Sequence, residues 1–151
     1  MVKRTSLEGM ECPVARSLDA IGDWWSLMII RDAFDDKRRF GEFQKSLGVA
    51  KNILAARLRT LVAQGILECA PASDGSAYQE YVLTPKGLGL FHVVVGLRQW
   101  GEDYCFEPGE ALSVLVDRKS GRPVPRLELR SEDGRCLGPA ETLVEKVADP
   151  S

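Results

Sequence analysis

The chain has 151 residues, 44% of them hydrophobic and 28% charged, with 20 Lys and Arg against 22 Asp and Glu. This length and apolar content fit one compact domain with a small appendage and exclude a disordered or collagen-like chain. The longest apolar stretches, such as Trp24 to Ile30, are interrupted within a few residues, and no apolar run follows the basic start, so the expectation is a cytoplasmic protein with no membrane span and no secretory signal.

Val14, Leu18 and Ile21 recur at helical spacing, and Gly22-Asp23 closes that helix and caps the next, Trp24 to Phe34. The apolar residues of this second helix cover most of its circumference. That places it at the centre of the core, with Trp24 and Trp25 as core or interface mass. Asp35-Asp36-Lys37 reads as a turn and Arg38-Arg39-Phe40 as a short extended piece. Phe40, Phe43 and Leu47 predict a short helix over Gly41 to Leu47, broken at Gly48. A longer helix follows from Lys51 to Gln64, with Leu54, Leu58 and Leu61 inward and Gly65 as its stop. A short helix, a glycine turn and a longer helix make a helix-turn-helix. Ile66 to Ala70 and Tyr78 to Leu83 then read as antiparallel strands joined by a wing loop.

Thr84-Pro85 predicts a helix start, and the segment onward to Tyr104 reads as one long helix, apolar nearly all round. Such a helix needs a second partner, so it is expected to form a dimer interface through Leu88, Phe91, Val95 and Trp100. His92 within it reads as a satisfied core or interface histidine. After a hinge at Glu107-Pro108-Gly109, Leu112 to Val116 and Leu127 to Arg130 are strand-like, turns fall at Ser120 to Pro123 and Asp133-Gly134, and a short helix is expected within Pro139 to Val147. The predicted fold is therefore α+β. A winged helix-turn-helix with a long dimerisation helix occupies residues 1–105, and a small C-terminal β-hairpin extension occupies 106–151.

The charge is uneven along the chain. Lys37, Arg38, Arg39, Lys45, Lys51, Arg57 and Arg59 stand against the single acid Glu42, seven cations to one acid, or +6 locally; with a net charge of −2, the remainder carries −8. A patch of this kind suits a polyanion such as DNA, and equally a solvated helical face; the helix-turn-helix favours DNA. With Leu54 inward and 100° per residue, Asn52, Ala56, Arg59 and Ala63 point outward, with Ala55 and Thr60 beside them. Asn52 suits an adenine edge or a helix cap, and Arg59 suits a guanine edge. Lys51, Lys45, Arg38 and Arg39 suit phosphates, and Arg57 suits either a phosphate or an ion pair within the domain.

The cysteines Cys12, Cys69, Cys105 and Cys136 are widely spaced and form no CxxC pair, and His92 is the single histidine, so free thiols and no metal or other cofactor are expected. No phosphate loop or nucleophile motif marks an enzyme. A winged helix serving only protein contacts is the alternative reading, and the loop Ala72 to Ala77, which has no Lys or Arg, supports it.

Several strings together resemble the HxlR-type winged-helix regulators. They are Cys12-Pro13-Val14-Ala15, Ile21-Gly22-Asp23-Trp24-Trp25, Arg38-Arg39-Phe40-Gly41-Glu42-Phe43, Ile53 to Leu61, Gly65-Ile66-Leu67-Glu68, Tyr81 to Gly87 and Trp100-Gly101. The resemblance covers roughly residues 10 to 105. It implies a homodimeric bacterial transcription factor that binds double-stranded operator DNA, often as a repressor near its own gene. A symmetric dimer would place two reading helices about 34 Å apart on a near-palindromic site. The resemblance also implies thiol sensing, because some members use a cysteine at the position of Cys12; a disulfide from Cys12 to the partner's Cys105 would alter the spacing of the two reading helices. A second candidate signal is a small apolar effector near Trp24, Trp25, Phe91 and Trp100. The chain departs from the family pattern in two places: its wing has no Lys or Arg, and its tail after Phe106 is longer.

Overall fold

The computed structural model describes residues 6–148, so the basic start of the chain at residues 1–5 lies outside the described residues. By compactness the chain divides into two units, Met1–Val94 and Val95–Ser151.

The first unit opens with α1 (Pro13–Ile21), where Pro13 stands in the first helical turn after an extended Cys12. Its fixed φ suits the first turn, where its missing N–H costs nothing. In α2 (Trp24–Phe34) the Asp23 carboxylate accepts from the Ser26 N–H at 2.8 Å and from its hydroxyl at 2.7 Å, the expected N-cap. Ile29 and Ile30 are fully buried, yet Trp24 is 82% exposed, so α2 does not bury its whole circumference as its composition predicts. The aromatic mass at the start of α2 lies partly on the surface: Trp25 packs half-buried on the core and Trp24 does not.

α3 (Phe40–Leu47) ends at Gly48, whose φ of 63° is the left-handed conformation that favours glycine. α4 (Lys51–Ala63) follows, and α3 and α4 form the helix-turn-helix. Leu54, Leu58 and Leu61 of α4 are buried against Phe43, Ile29 and Ile30 in one core, joined by Val49, Ile66 and Leu67. β1 (Leu67–Pro71) and β2 (Gln79–Leu83) pair antiparallel, Leu67 opposite Leu83 and Pro71 opposite Gln79. The extended Arg38 adds one more rung, since its carbonyl accepts from the Tyr81 N–H at 2.7 Å.

The predicted single helix from Pro85 to Tyr104 is broken. α5 (Pro85–Leu88), capped by the Thr84 side chain, ends at Gly89, and α6 (Phe91–Tyr104) starts afresh. The break falls at Gly89, and close by a Cβ on Gly87 would sit 2.2 Å from the Ile66 carbonyl oxygen, so the backbone of α5 lies directly against the residue that precedes β1. His92 is exposed on α6 rather than held in a core or interface of this chain.

The second unit begins within α6, at Val95. Val95 and Gln99 are the buried residues of α6, and Gln99 is bonded to the tail. The Gln99 side chain donates to the Pro125 carbonyl at 3.1 Å and accepts from the Leu127 N–H at 2.8 Å, the two bonds a neighbouring peptide group would make. Arg98 donates to the Ser113 carbonyl and hydroxyl, each at 2.9 Å, and Arg126 pairs with Glu102 at 3.3 Å and with Asp103. Among the described residues the tail has no continuous strand ladder. Two narrow loops each close on one antiparallel bridge, Val116 with Pro123 and Arg130 with Cys136. Leu112 to Val116 and Leu127 to Arg130 are extended, and each enters one of these two small hairpins, the Leu115 carbonyl accepting from the Val124 N–H at 3.0 Å and the Leu129 carbonyl from the Leu137 N–H at 2.7 Å, while Arg98 and Gln99 hold them from the side of α6. The expected terminal helix is a 3-10 turn at Pro139–Glu141.

Candidate nucleic-acid interface

The turn between α3 and α4 aims the reading face. Gly48 reverses the chain, Val49 tucks into the core, and Ala50 takes the extended N-cap conformation of α4. Asn52 is therefore not a helix cap. It is exposed, as are Lys51, Ala56, Arg59 and Thr60, while Ala55 is half-buried beside them. The Thr60 hydroxyl donates to the Ala56 carbonyl at 3.0 Å, a local bond that ties it to its own helix. Opposite this face lie the buried leucines, so the outward surface of α4 combines two exposed polar side chains, Asn52 and Arg59, with small residues beside them.

Structure sorts the basic run into two sets. Glu42, its one acid, is spent on capping α3, accepting from the backbone N–H groups of Arg38 at 3.1 Å and Arg39 at 2.9 Å; these bonds hold its carboxyl below the ordinary range. Arg38 lies 3.7 Å from buried Glu80, and the half-buried Arg57 brings its Nε to 3.4 Å from the Asp23 carboxylate. Arg57 therefore follows the ion-pair reading and ties α4 to the N-cap of α2. Arg39 reaches Asp74 at 2.5 Å and the Ser76 hydroxyl at 3.4 Å, with its guanidinium over the Tyr78 ring at 5.2 Å. Lys45, Lys51 and Arg59 have no ion pair or hydrogen bond to their side chains among the described residues.

The wing is held from both sides. Glu80 accepts from the Ser73 N–H at 2.9 Å and hydroxyl at 2.8 Å, which lowers its pKa, with Arg38 and Arg39 adding to the effect. Asp74 accepts from the Ser76 N–H at 2.9 Å as well as from Arg39, and the Ser76 and Arg39 bonds bring its pKa down to about 2. The sequence shows a wing without cations and with one acid, Asp74; the structure adds that this acid occupies Arg39. That pairing joins residues far apart in the chain, so no local pattern announces it.

The other named residues fall as follows. Cys12 and Cys105, like Cys69 and Cys136, are exposed free thiols. Leu88, Phe91 and Trp100 are 55%, 41% and 61% exposed, whereas Val95 is buried within its own chain. Val93, Leu97 and Tyr104 are also exposed on α6. Their spacing with Trp100 alternates four and three residues and so marks one stripe. Among the described residues no group of His, Cys, Asp and Glu could hold a metal ion, and no helix is long and apolar enough to cross a membrane.

The HxlR-like helix-turn-helix family profile matches residues 20–108. The uncharacterized HTH-type transcriptional regulator Mb3122 of Mycobacterium bovis is 41% identical over 95 residues, 63% of this chain; the match spans 60% of that protein's length. The crystal structure of PA1607 superposes with a TM-score of 0.89 at 57% identity, covering 95% of this chain and all of that one. The redox regulator HypR in its reduced form gives a TM-score of 0.56 at 32% identity, covering 61% of this chain and 92% of HypR. Helix-turn-helix, wing and following helices occur in the order the family profile spans, and the chain belongs to the HxlR-like helix-turn-helix family, with the winged helix-turn-helix fold of transcriptional regulators.

Proposed function

We propose that the protein is a sequence-specific regulator of transcription that binds double-stranded DNA as a homodimer and represses from a near-palindromic operator. Residues 1–105 would serve as the DNA-binding and dimerising part and 106–151 as the extension. The observation that carries this reading is the outward face of α4, where Asn52, Ala56 and Arg59 are exposed above a fully buried leucine row. Asn52 pairs with adenine and Arg59 with guanine, while Ala55, Ala56 and Thr60 line the close approach. Lys45 and Lys51 are the ready phosphate contacts, and Arg38 and Arg39 join them only by exchanging their carboxylate partners. Leu88, Phe91 and Trp100, extended by Val93, Leu97 and Tyr104, supply apolar surface for the partner subunit.

Thiol control is the second part of the proposal. Cys12 is exposed at the N-cap of α1, and the similarity to HypR, described as a redox regulator and solved in reduced and oxidised forms, supports oxidation of Cys12, with the partner's Cys105 as its disulfide partner.

The test is fluorescence anisotropy of reduced protein with fragments from around its own gene, across a salt series. Tight binding with log K falling against log salt at a slope of roughly −5 or steeper supports the operator reading. Arg59→Ala is expected to cost about 1–3 kcal/mol on the preferred site. Absence of binding even at low salt overturns it in favour of a protein-interaction module. Loss of binding on oxidation that Cys12→Ser abolishes supports the thiol switch, and an unchanged response in that variant removes it.

A further inference from the structure

A cavity of about 280 Å³ opens in the first unit among α1, the start of β1 and the α5–α6 turn. Its floor is apolar, made by Ile21, Ile66 and Leu90, and two cations line it, Arg16 of α1 and Lys86 of α5. No Asp or Glu lines it. Its volume lies just below the range of roughly 300–1,000 Å³ typical of small-molecule sites, which sets the size of an occupant at one ring or a short branched chain.

Each cation makes one bond to a main-chain carbonyl: Arg16 Nε donates to Met10, and Lys86 Nζ donates to Gln64 at 2.6 Å. A guanidinium has five N–H donors and an ammonium three, so both keep donors for an anion. Gln64 is the C-cap of α4, where a positive charge is stabilising because unpaired carbonyls collect there. One of the cavity's cations therefore also holds the end of the DNA-reading helix.

We propose that this cavity is a binding site for a small apolar carboxylate. Its carboxylate accepts from Arg16 and Lys86, and its hydrocarbon body covers Ile21, Ile66 and Leu90. Drawn toward the anion through its remaining donors, the Lys86 ammonium moves off the Gln64 carbonyl and loosens the last turn of α4, which lowers operator affinity. This last step rests on the operator-binding reading; ligand binding itself does not.

The probe is 3-phenylpropanoate, with 3-phenylpropanol as the neutral isostere, titrated into the full chain without DNA and followed by amide chemical shifts and thermal shift. The acid is expected to move the amides of Ile66, Lys86 and Leu90 saturably and to bind at least ten-fold more tightly than the alcohol. Lys86→Gln and Arg16→Gln each weaken it five-fold or more while keeping the wild-type spectrum elsewhere. Ser17→Phe, which fills the mouth from the exposed face of α1, blocks it with both cations intact. Equal binding of acid and alcohol, shifts elsewhere in the chain, or no saturable binding overturns the site. Saturable binding at the site with unchanged operator affinity overturns only the coupling to α4.

Discussion

At the scale of single residues, the Arg39–Asp74 pair decides how the wing can meet DNA. The Asp74 carboxyl has a pKa of about 2, below its ordinary 3.8, so its contribution to wing order is fully present above about pH 4 and is lost as pH falls through about 2. Carboxyl NMR across that range is expected to show Asp74 protonating near 2 together with loss of the Arg39 contact. Near a phosphate backbone the same carboxylate is repulsive. Asp74→Asn frees Arg39, so operator affinity is expected to rise several-fold and the salt slope to steepen by about one, read by anisotropy. Gln99 acts comparably in the second unit. Gln99→Leu leaves the Leu127 N–H and the Pro125 carbonyl without their partner, each at a cost of roughly 0.5–1.5 kcal/mol because both residues are exposed, and rapid hydrogen exchange at Leu127 is the expected sign. Neither residue declares its role in sequence. Their partners are distant, and an Asp in a loop or a Gln on a helix is locally unremarked.

At the scale of elements, the features legible in sequence are those governed by neighbours a few residues away. Asp23 and Thr84 cap as their positions predict, Gly48 ends α3, and the leucines at 54, 58 and 61 choose the buried face of α4. Where the reading departs, a distant contact takes part. The apolar run after Thr84 carries local breakers at Gly87 and Gly89, and Gly87 also lies against the distant Ile66 carbonyl. Gly87→Ala forces backbone against backbone and is expected to destabilise the first unit by about 1–3 kcal/mol, read as a lower denaturation midpoint. Leu58→Ala, in the centre of the core, is expected to cost about 2–5 kcal/mol by the same measurement, without a change in salt slope beyond what unfolding explains. The tail shows the same limit of local pattern: alternation marks extended chain, while whether such chain builds a ladder depends on what lies beside it, here Arg98 and Gln99.

At the scale of the whole molecule, net charge is a poor guide to the surface that would face DNA. The basic run is strong in sequence, but Arg38, Arg39 and Arg57 spend their charge on Glu80, Asp74 and Asp23, leaving Lys37 ahead of α3 and Lys45, Lys51 and Arg59 on the helix-turn-helix as its ready cations. The salt slope per subunit should therefore follow this smaller set. Replacing Lys45, Lys51 and Arg59 together is expected to abolish most of it, whereas Arg57→Gln is expected to lower stability with little change in slope.

The exposed indole of Trp24 gives the molecule an optical reporter already in place. It adjoins Asp23, the carboxylate that meets Arg57 of α4, so the ring lies within one residue of the joint between α2 and the reading helix. A solvent-facing indole responds to nearby charge, and any engagement that draws Arg57 away alters the field it senses. With Trp25 and Trp100 replaced by phenylalanine, emission from this one residue would follow the setting of the reading helix in real time, with no label attached.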